Sequence, residues 1–200
     1  MSDKFQAGGG AAIIAGGMGR RIGYDKKRLL FEGEYIINRQ IETLAEIFNE
    51  IIVSTNNPFV HEKARSVNDI LGSGPLAGIY SALSASACDW LFVCACDMPF
   101  ISLNYIRHLI RRAGGNFFDV CAVVRENGFI EPFNALYHKH TLPILERNLR
   151  TGEYKAQAAL SAMPLIAVTP EEAAYAAGGE RDIFYNINYE EDLRHAAYID

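Results

Sequence analysis

Apolar positions along the chain follow two patterns, short uninterrupted runs and longer stretches with helical spacing. Ala11 to Ala15, Glu50 to Thr55, Trp90 to Cys96 and Asp119 to Val124 are runs rich in Ile, Val and other apolar residues, without polar alternation. Such runs predict strands buried on both faces, as in a parallel sheet covered by helices. Between the first two runs, Ile37, Ile41, Leu44 and Phe48 recur at intervals of four, three and four and paint one face of a helix over Glu34 to Phe48. Further helices are predicted over Leu76 to Ala87, Leu103 to Ala113, His138 to Leu149 and Glu190 to Tyr198, with a strand over Phe129 to Tyr137. This alternation predicts an α/β fold, a three-layer α/β/α sandwich around a mainly parallel sheet with right-handed crossovers. In such sheets ligands bind beyond the carboxyl ends of the strands, so the loops that follow strands are where chemistry is expected.

No internal repeat, low-complexity linker or charge block divides the 200 residues, and half are hydrophobic, so a single domain is expected. A chain of this length buries about 70% of its unfolded surface and needs no disulfide or zinc staple. The net charge of -5 argues against general binding to nucleic acid or acidic membranes. No apolar run approaches the ~18 residues of a membrane span, and residues 1–10 lack the apolar core of a signal peptide, which predicts a cytoplasmic protein. The cysteines Cys88, Cys94, Cys96 and Cys121 form no C-x-x-C pair and read as reduced thiols, mostly buried. The histidines show no H-x-x-x-H or H-E-x-x-H set, and His138 and His140 read as surface imidazoles rather than metal ligands.

Chemistry concentrates after the first run. The loop Ile14-Ala15-Gly16-Gly17-Met18-Gly19-Arg20-Arg21-Ile22-Gly23-Tyr24-Asp25-Lys26 turns on glycines, and five basic residues lie between Arg20 and Arg28 against one acid. Glycines let backbone N–H groups approach phosphate oxygens, while Arg21 and Lys26 add fork-shaped and point-charge donors. On these residues alone a solvated basic turn is the alternative. The loop lacks the Gly-Lys-Ser/Thr end of a Walker loop, and Ile22 stands where a dinucleotide fingerprint needs its third glycine.

The same loop resembles the signature L-A-G-G-x-x-x-R-M-G-x-D-K of the MobA-like nucleotidyltransferases, the molybdenum cofactor guanylyltransferase family, with Ile14 and Ile22 as apolar replacements. Three further segments resemble that family in order: Gly74-Pro75-Leu76-Ala77-Gly78-Ile79 preceded by Asp69, Cys96-Asp97-Met98-Pro99, and Phe184 to Leu193 with its Asn186-Ile187-Asn188 core. Glu131-Pro132-Phe133-Asn134-Ala135-Leu136-Tyr137 resembles the family's P-L-F-A-L-Y but departs from it at Phe133 and Asn134. The resemblance runs from Ile14 to Leu193 and implies a Rossmann-like sheet of the nucleotide-diphospho-sugar transferase type in one domain over 11–200. Residues 1–10 fall outside it and are expected to be disordered.

The resemblance also implies roles. Ile14, Ala15, Gly16, Gly17, Asn56, Asp69 and Gly74 would line the nucleotide, Lys26 would hold its triphosphate, and Asp97 would bind Mg²⁺ and nucleotide together. Lys26, Arg21 and Asp97 would be the catalytic residues, and Asn186 and Asn188 would face the acceptor. The implied reaction moves GMP from GTP to molybdopterin and releases pyrophosphate, with transient contacts to proteins that deliver the pterin or receive the cofactor. Alternatives are CTP on molybdopterin, another nucleotide on a sugar phosphate, or a nucleotide-binding subunit without catalysis. Ala15-Gly16-Gly17, where cytidylyl relatives carry Ala-Ala-Gly, favours GTP.

Overall fold

Strand and helix alternate as the apolar runs predict in a computed structural model, which describes residues 8–16, 29–114, 117–179, 181–188 and 191–192. In chain order the elements are β1 (Gly9–Ile14), β2 (Leu30–Phe31), β3 (Glu34–Tyr35), α1 (Ile36–Leu44), β4 (Ile51–Ser54), β5 (Arg65–Val67), α2 (Pro75–Ala85) and β6 (Trp90–Ala95). They continue with α3 (Leu103–Ala113), β7 (Val120–Val123), β8 (Ala135–His138), a 3-10 turn at Lys139–Thr141, α4 (Leu142–Arg150), α5 (Ala156–Leu160), β9 (Leu165–Val168) and α6 (Pro170–Ala177). Seven strands form one sheet in the order β5-β4-β1-β6-β8-β7-β9, and β2 and β3 make a separate antiparallel pair. β8 runs antiparallel to both β6 and β7, and the other pairings of the large sheet are parallel.

Burial follows the strand period of two. Ala11, Ile13 and Ala15 join Ile37, Ile41, Leu44, Tyr105, Leu109 and Ala173 in one core, so α1, α3 and α6 cover that face. Ala12 and Ile14 join Leu76, Ile79, Leu83, Leu145, Leu149 and Leu160 in the other, under α2, α4 and α5. The three expected layers are therefore present. A third, smaller cluster of Leu29, Phe31, Ile36, Phe100 and Ile187 ties the β2–β3 pair to segment 183–188.

Helix ends follow local chemistry. Ser102 accepts a hydrogen bond from the Tyr105 amide at the start of α3, and Thr169 accepts one from Glu172 ahead of Pro170 at the start of α6. Several expected boundaries move. β1 begins at Gly9, so residues 9 and 10 are buried strand rather than part of a disordered N-terminus. Glu34 and Tyr35 pair in β3, which shortens the first predicted helix to α1. The predicted strand over Phe129 to Tyr137 contracts to β8, because Asn134 adopts φ 51° and breaks the extended path. Helix His138 to Leu149 opens instead with the 3-10 turn. β9, α5 and α6 were not predicted, and most of the helix predicted over Glu190 to Tyr198 lies outside the described residues. No described helix is long and apolar enough to cross a membrane.

Candidate functional site

Register assembles the site. Val67, Ser54, Ile14 and Ala95 stand level across β5, β4, β1 and β6, paired Ser54 with Val67, Ile14 with Ser54, and Ile14 with Ala95. Two residues past each lies a sequence-predicted site residue: Asp69, Asn56, Gly16 and Asp97. The row is locked by hydrogen bonds from Ala15 N to Ser54 O (2.8 Å), Thr55 N to Val67 O (2.8 Å) and Cys96 N to Ile14 O (3.1 Å). Four loops far apart in sequence thus open side by side at the carboxyl edge of the sheet.

On one side of this row the Asp69 carboxylate is held from three directions. Ser54 Oγ donates to Asp69 Oδ1 at 2.7 Å, Asn56 Nδ2 donates to Oδ2 at 3.3 Å, and the Asp69 amide donates back to Asn56 Oδ1 at 2.9 Å. Both polar ends of the Asn56 side chain are thereby hydrogen-bonded to Asp69, which fixes the two side chains relative to each other. Gly16 forms the floor beneath it, because a Cβ on Gly16 would stand 2.9 Å from Asp69 Oδ2. Gly74, at φ 100°, caps α2 in a conformation that favours glycine, and Pro75 follows at the first helical position. Gly78 lets α2 pack closely on β1, since a Cβ there would meet Ile14 Cγ2 at 2.7 Å.

Across the row, Asp97 occupies the third position of a turn closed by Met98 N donating to Ala95 O at 3.2 Å. Asp97 is 8% exposed. Its own carbonyl accepts the Ile187 amide at 2.9 Å, which brings the Asn186–Asn188 segment against the turn. Ile187 is buried between an exposed Asn186 and a half-buried Asn188. Asn186 Nδ2 donates to Phe184 O at 3.0 Å, and the Asn188 amide donates to Asp192 Oδ2 at 2.7 Å. The departure at Asn134 has a structural cause. Its Nδ2 donates to Ile183 O at 2.6 Å and its carbonyl accepts from Tyr105 Oη at 3.0 Å, so this residue anchors the same segment from below.

The structure therefore brings together Ile14, Ala15, Gly16, Asn56, Asp69, Gly74, Asp97, Asn186 and Asn188, while Gly17, Arg21 and Lys26 lie outside the described residues. Sequence reasoning missed Ser54 and Gln40. Ser54 is a polar residue ending an apolar strand, and Gln40 interrupts the apolar stripe of α1, and either irregularity is a usable signal. Cys94 and Cys96 are buried beneath the turn; burial, with Cys96 and Asp97 nearby, keeps the Cys94 thiol protonated far above its ordinary range and removes it as a nucleophile. His138 is half-buried and His140 exposed, with ring centres 3.9 Å apart at the start of α4. Among the described residues no three His, Cys, Asp or Glu side chains gather as a metal cage.

Comparisons with known proteins bear on the family and the fold. The family model described as the MobA-like NTP transferase domain matches residues 11–166. A probable molybdenum cofactor guanylyltransferase of Peptoclostridium acidaminophilum is 33% identical over 96% of this chain and 89% of its own length. The molybdenum cofactor guanylyltransferase of Syntrophotalea carbinolica is 33% identical over 92% of this chain and 89% of its own. Among solved structures, molybdopterin-guanine dinucleotide biosynthesis protein A from Archaeoglobus fulgidus superposes with a TM-score of 0.80 at 25% identity, covering 93% of this chain and 95% of that one. The 2-C-methyl-D-erythritol 4-phosphate cytidylyltransferase of Thermus thermophilus shares the fold, with a TM-score of 0.67 at 14% identity over 93% and 96% of the two chains.

Proposed function

The chain belongs to the MobA-like NTP transferase family, and from that premise we propose that it is a molybdenum cofactor guanylyltransferase, moving GMP from GTP to molybdopterin with release of pyrophosphate. The level row of strand ends carries this reading, with a fixed carboxylate over a glycine floor on one side and Asp97 on the other. A carboxylate accepts hydrogen bonds and donates none. Guanine is the common base whose pairing edge offers two adjacent donors, N1–H and the 2-amino group, and Asp69 suits it for that reason.

In the transfer, an oxygen of the acceptor phosphate attacks the α-phosphorus of GTP. A new P–O bond forms there as the bond to the bridging oxygen of the β-phosphate breaks, and pyrophosphate leaves with that electron pair. The acceptor phosphate is already a nucleophile, so the reaction depends on alignment and charge neutralisation more than on a strong base. Lys26, Arg21 and the N–H groups of the glycine loop neutralise the triphosphate and the departing pyrophosphate. Asn186 and Asn188, tied to the Asp97 turn, face the acceptor.

The Asp97 carboxylate is a hard oxygen donor at the carboxyl edge of the sheet, which suits Mg²⁺, an ion that keeps waters and takes further oxygens from phosphates. When bound, Mg²⁺ draws charge from the phosphate oxygens; Asp97 is the side chain that would hold it. The net charge of -5 argues against general binding to nucleic acid or acidic membranes, so its anionic substrates are met by the local basic loop; a cytoplasmic place and exchange of molybdopterin and product with carrier proteins belong to the same proposal.

The test is a thermal-shift panel with GTP, CTP, ATP and UTP, each with and without Mg²⁺, followed by pyrophosphate release on adding molybdopterin. A nucleotide at 100 times its dissociation constant stabilises by about 2.7 kcal/mol. A selective shift with GTP and Mg²⁺, and pyrophosphate release, supports the proposal. A CTP response would redirect it to cytidylyl transfer, and binding without release would make the chain a nucleotide-binding subunit.

A further inference from the structure

α1 buries Ile36, Ile37, Ile41 and Leu44 against the sheet and its edge, and one polar side chain, Gln40, is buried with them at 1% exposure. Its Nε2 donates two hydrogen bonds, to Ala95 O at 2.8 Å and to Met98 O at 2.7 Å. These carbonyls belong to the first and last residues of the turn that presents Asp97. Each of the amide's two protons thus meets one end of the same turn, from the face of the sheet opposite α2.

The remaining atom sharpens the point. Gln40 Oε1 is buried and has no hydrogen-bond partner among the described residues. An apolar residue of similar length would avoid the stranded Oε1 but would take from the buried Met98 carbonyl the donor it has here, so the amide at this position serves the turn rather than α1. What the amide supplies is a pair of donors with fixed spacing. With Met98 N on Ala95 O and Ile187 N on Asp97 O, they hold the backbone from which the Asp97 side chain springs.

We propose that Gln40 is a positioning residue for the transfer, holding the Ala95–Met98 turn so that the Asp97 carboxylate meets the metal–nucleotide complex in one orientation. This rests on the reading of Asp97 as the metal-binding carboxylate. Groups that orient a metal-binding side chain from behind are typically worth about 10-fold or more in affinity or activity when removed.

The experiment compares the wild type with Gln40→Met, which keeps an unbranched side chain and loses both donors, and with Asp97→Asn. Circular dichroism and thermal melting establish that each variant is folded. Mn²⁺ affinity in the presence of a non-hydrolysable GTP analogue is then measured by electron paramagnetic resonance, alongside kcat and KM for GTP at saturating Mg²⁺. Positioning predicts that Gln40→Met weakens Mn²⁺ binding and lowers kcat, each by about 10-fold, with KM for GTP nearly unchanged. A purely structural role predicts a lower melting temperature with wild-type Mn²⁺ affinity and kcat in the folded protein, and that result overturns the inference.

Asp97→Asn separates the two levels. If it abolishes metal binding while Gln40→Met is unaffected, the positioning role fails and the reading of Asp97 stands; if it keeps full activity, both fail. Should Gln40→Met not fold, the wild-type protein decides through the nuclear magnetic resonance signals of the Gln40 side-chain amide. Slow exchange and strong broadening by Mn²⁺ with the GTP analogue support the role, and signals indifferent to Mn²⁺ overturn it.

Discussion

Ser54, fully buried at the end of β4, donates a 2.7 Å hydrogen bond to Asp69 Oδ1, so a residue from one strand end fixes the carboxylate that follows its neighbour. Hydrogen bonds to charged groups are worth about 1.5–3 kcal/mol. Ser54→Ala frees that carboxylate to rotate, and GTP affinity is expected to fall by about 10-fold or more in isothermal titration, while the backbone row stays intact. Unchanged affinity would mean that Asp69 is held well enough by Asn56 alone.

Two glycines of the site separate ligand contact from packing. Gly78→Ala forces a methyl against Ile14 Cγ2 at 2.7 Å in the core. Overpacking of this kind costs about 1–3 kcal/mol and lowers the melting temperature by roughly 2–4 °C for each kcal/mol in a chain of this size. Gly16→Ala instead pushes on Asp69 Oδ2 at 2.9 Å. Calorimetry should find the first variant clearly destabilised, and the second near-normal in stability with weakened GTP binding.

Charge on the glycine loop is testable through turnover. Lys26→Ala and Arg21→Ala are each expected to lower kcat by about 10²-fold or more, the usual cost of losing one group that stabilises developing charge. Both variants should melt with the wild type. Near-normal pyrophosphate release from either would remove that residue from the transfer step.

Acid stability depends on a carboxylate at the opposite edge of the sheet. Burial raises the pKa of Glu50, but hydrogen bonds from Ser86, Arg65 and the Ala87 amide outweigh it and bring the value from the ordinary 4.5 to about 2. A folded-state value below the unfolded one means that the stabilisation is complete above pH 4.5 and is lost as pH falls through about 2. Urea midpoints of wild type and Glu50→Gln should therefore differ at pH 7 and converge as the pH drops across that window. A gap that stays constant from pH 7 to pH 2 would show that the charge of Glu50 contributes nothing.

Asn134 combines a left-handed backbone at φ 51° with a hydrogen bond to Ile183 O. Asn134→Gly and Asn134→Ala both lose the hydrogen bond, but alanine adds backbone strain of about 1 kcal/mol at this conformation. The alanine variant should unfold at lower urea than the glycine variant; equal midpoints would show that the conformation relaxes.

The central strands were legible because each is buried on both faces and cannot alternate, and helix Leu103 to Ala113 was legible because its stripe is regular and Ser102 and Gly114 punctuate it. β9 escaped because only Val168 of its four residues is fully buried, which leaves no strong apolar run. α6 carries its start signal, Thr169-Pro170-Glu171-Glu172, but presents mostly alanine to the core and so lacks a stripe. At the site, Asp69 and Asp97 were readable from their motifs. Ser54 and Gln40 show in the sequence only as irregularities in apolar patterns, and what each holds is not legible there, because the carboxylate and carbonyls they meet approach only after the strands align.

The bond from Ile187 to Asp97 also has a meaning in time. Synthesis runs from the amino end, and β1, β4, β5 and β6, with the residues that follow them, leave the ribosome well before Ile187. Folding of early segments can begin during that interval. On the proposed function, the described segments assigned to the nucleotide are all made before the segment assigned to the acceptor, so the order of synthesis matches the order in which the two substrates would be received.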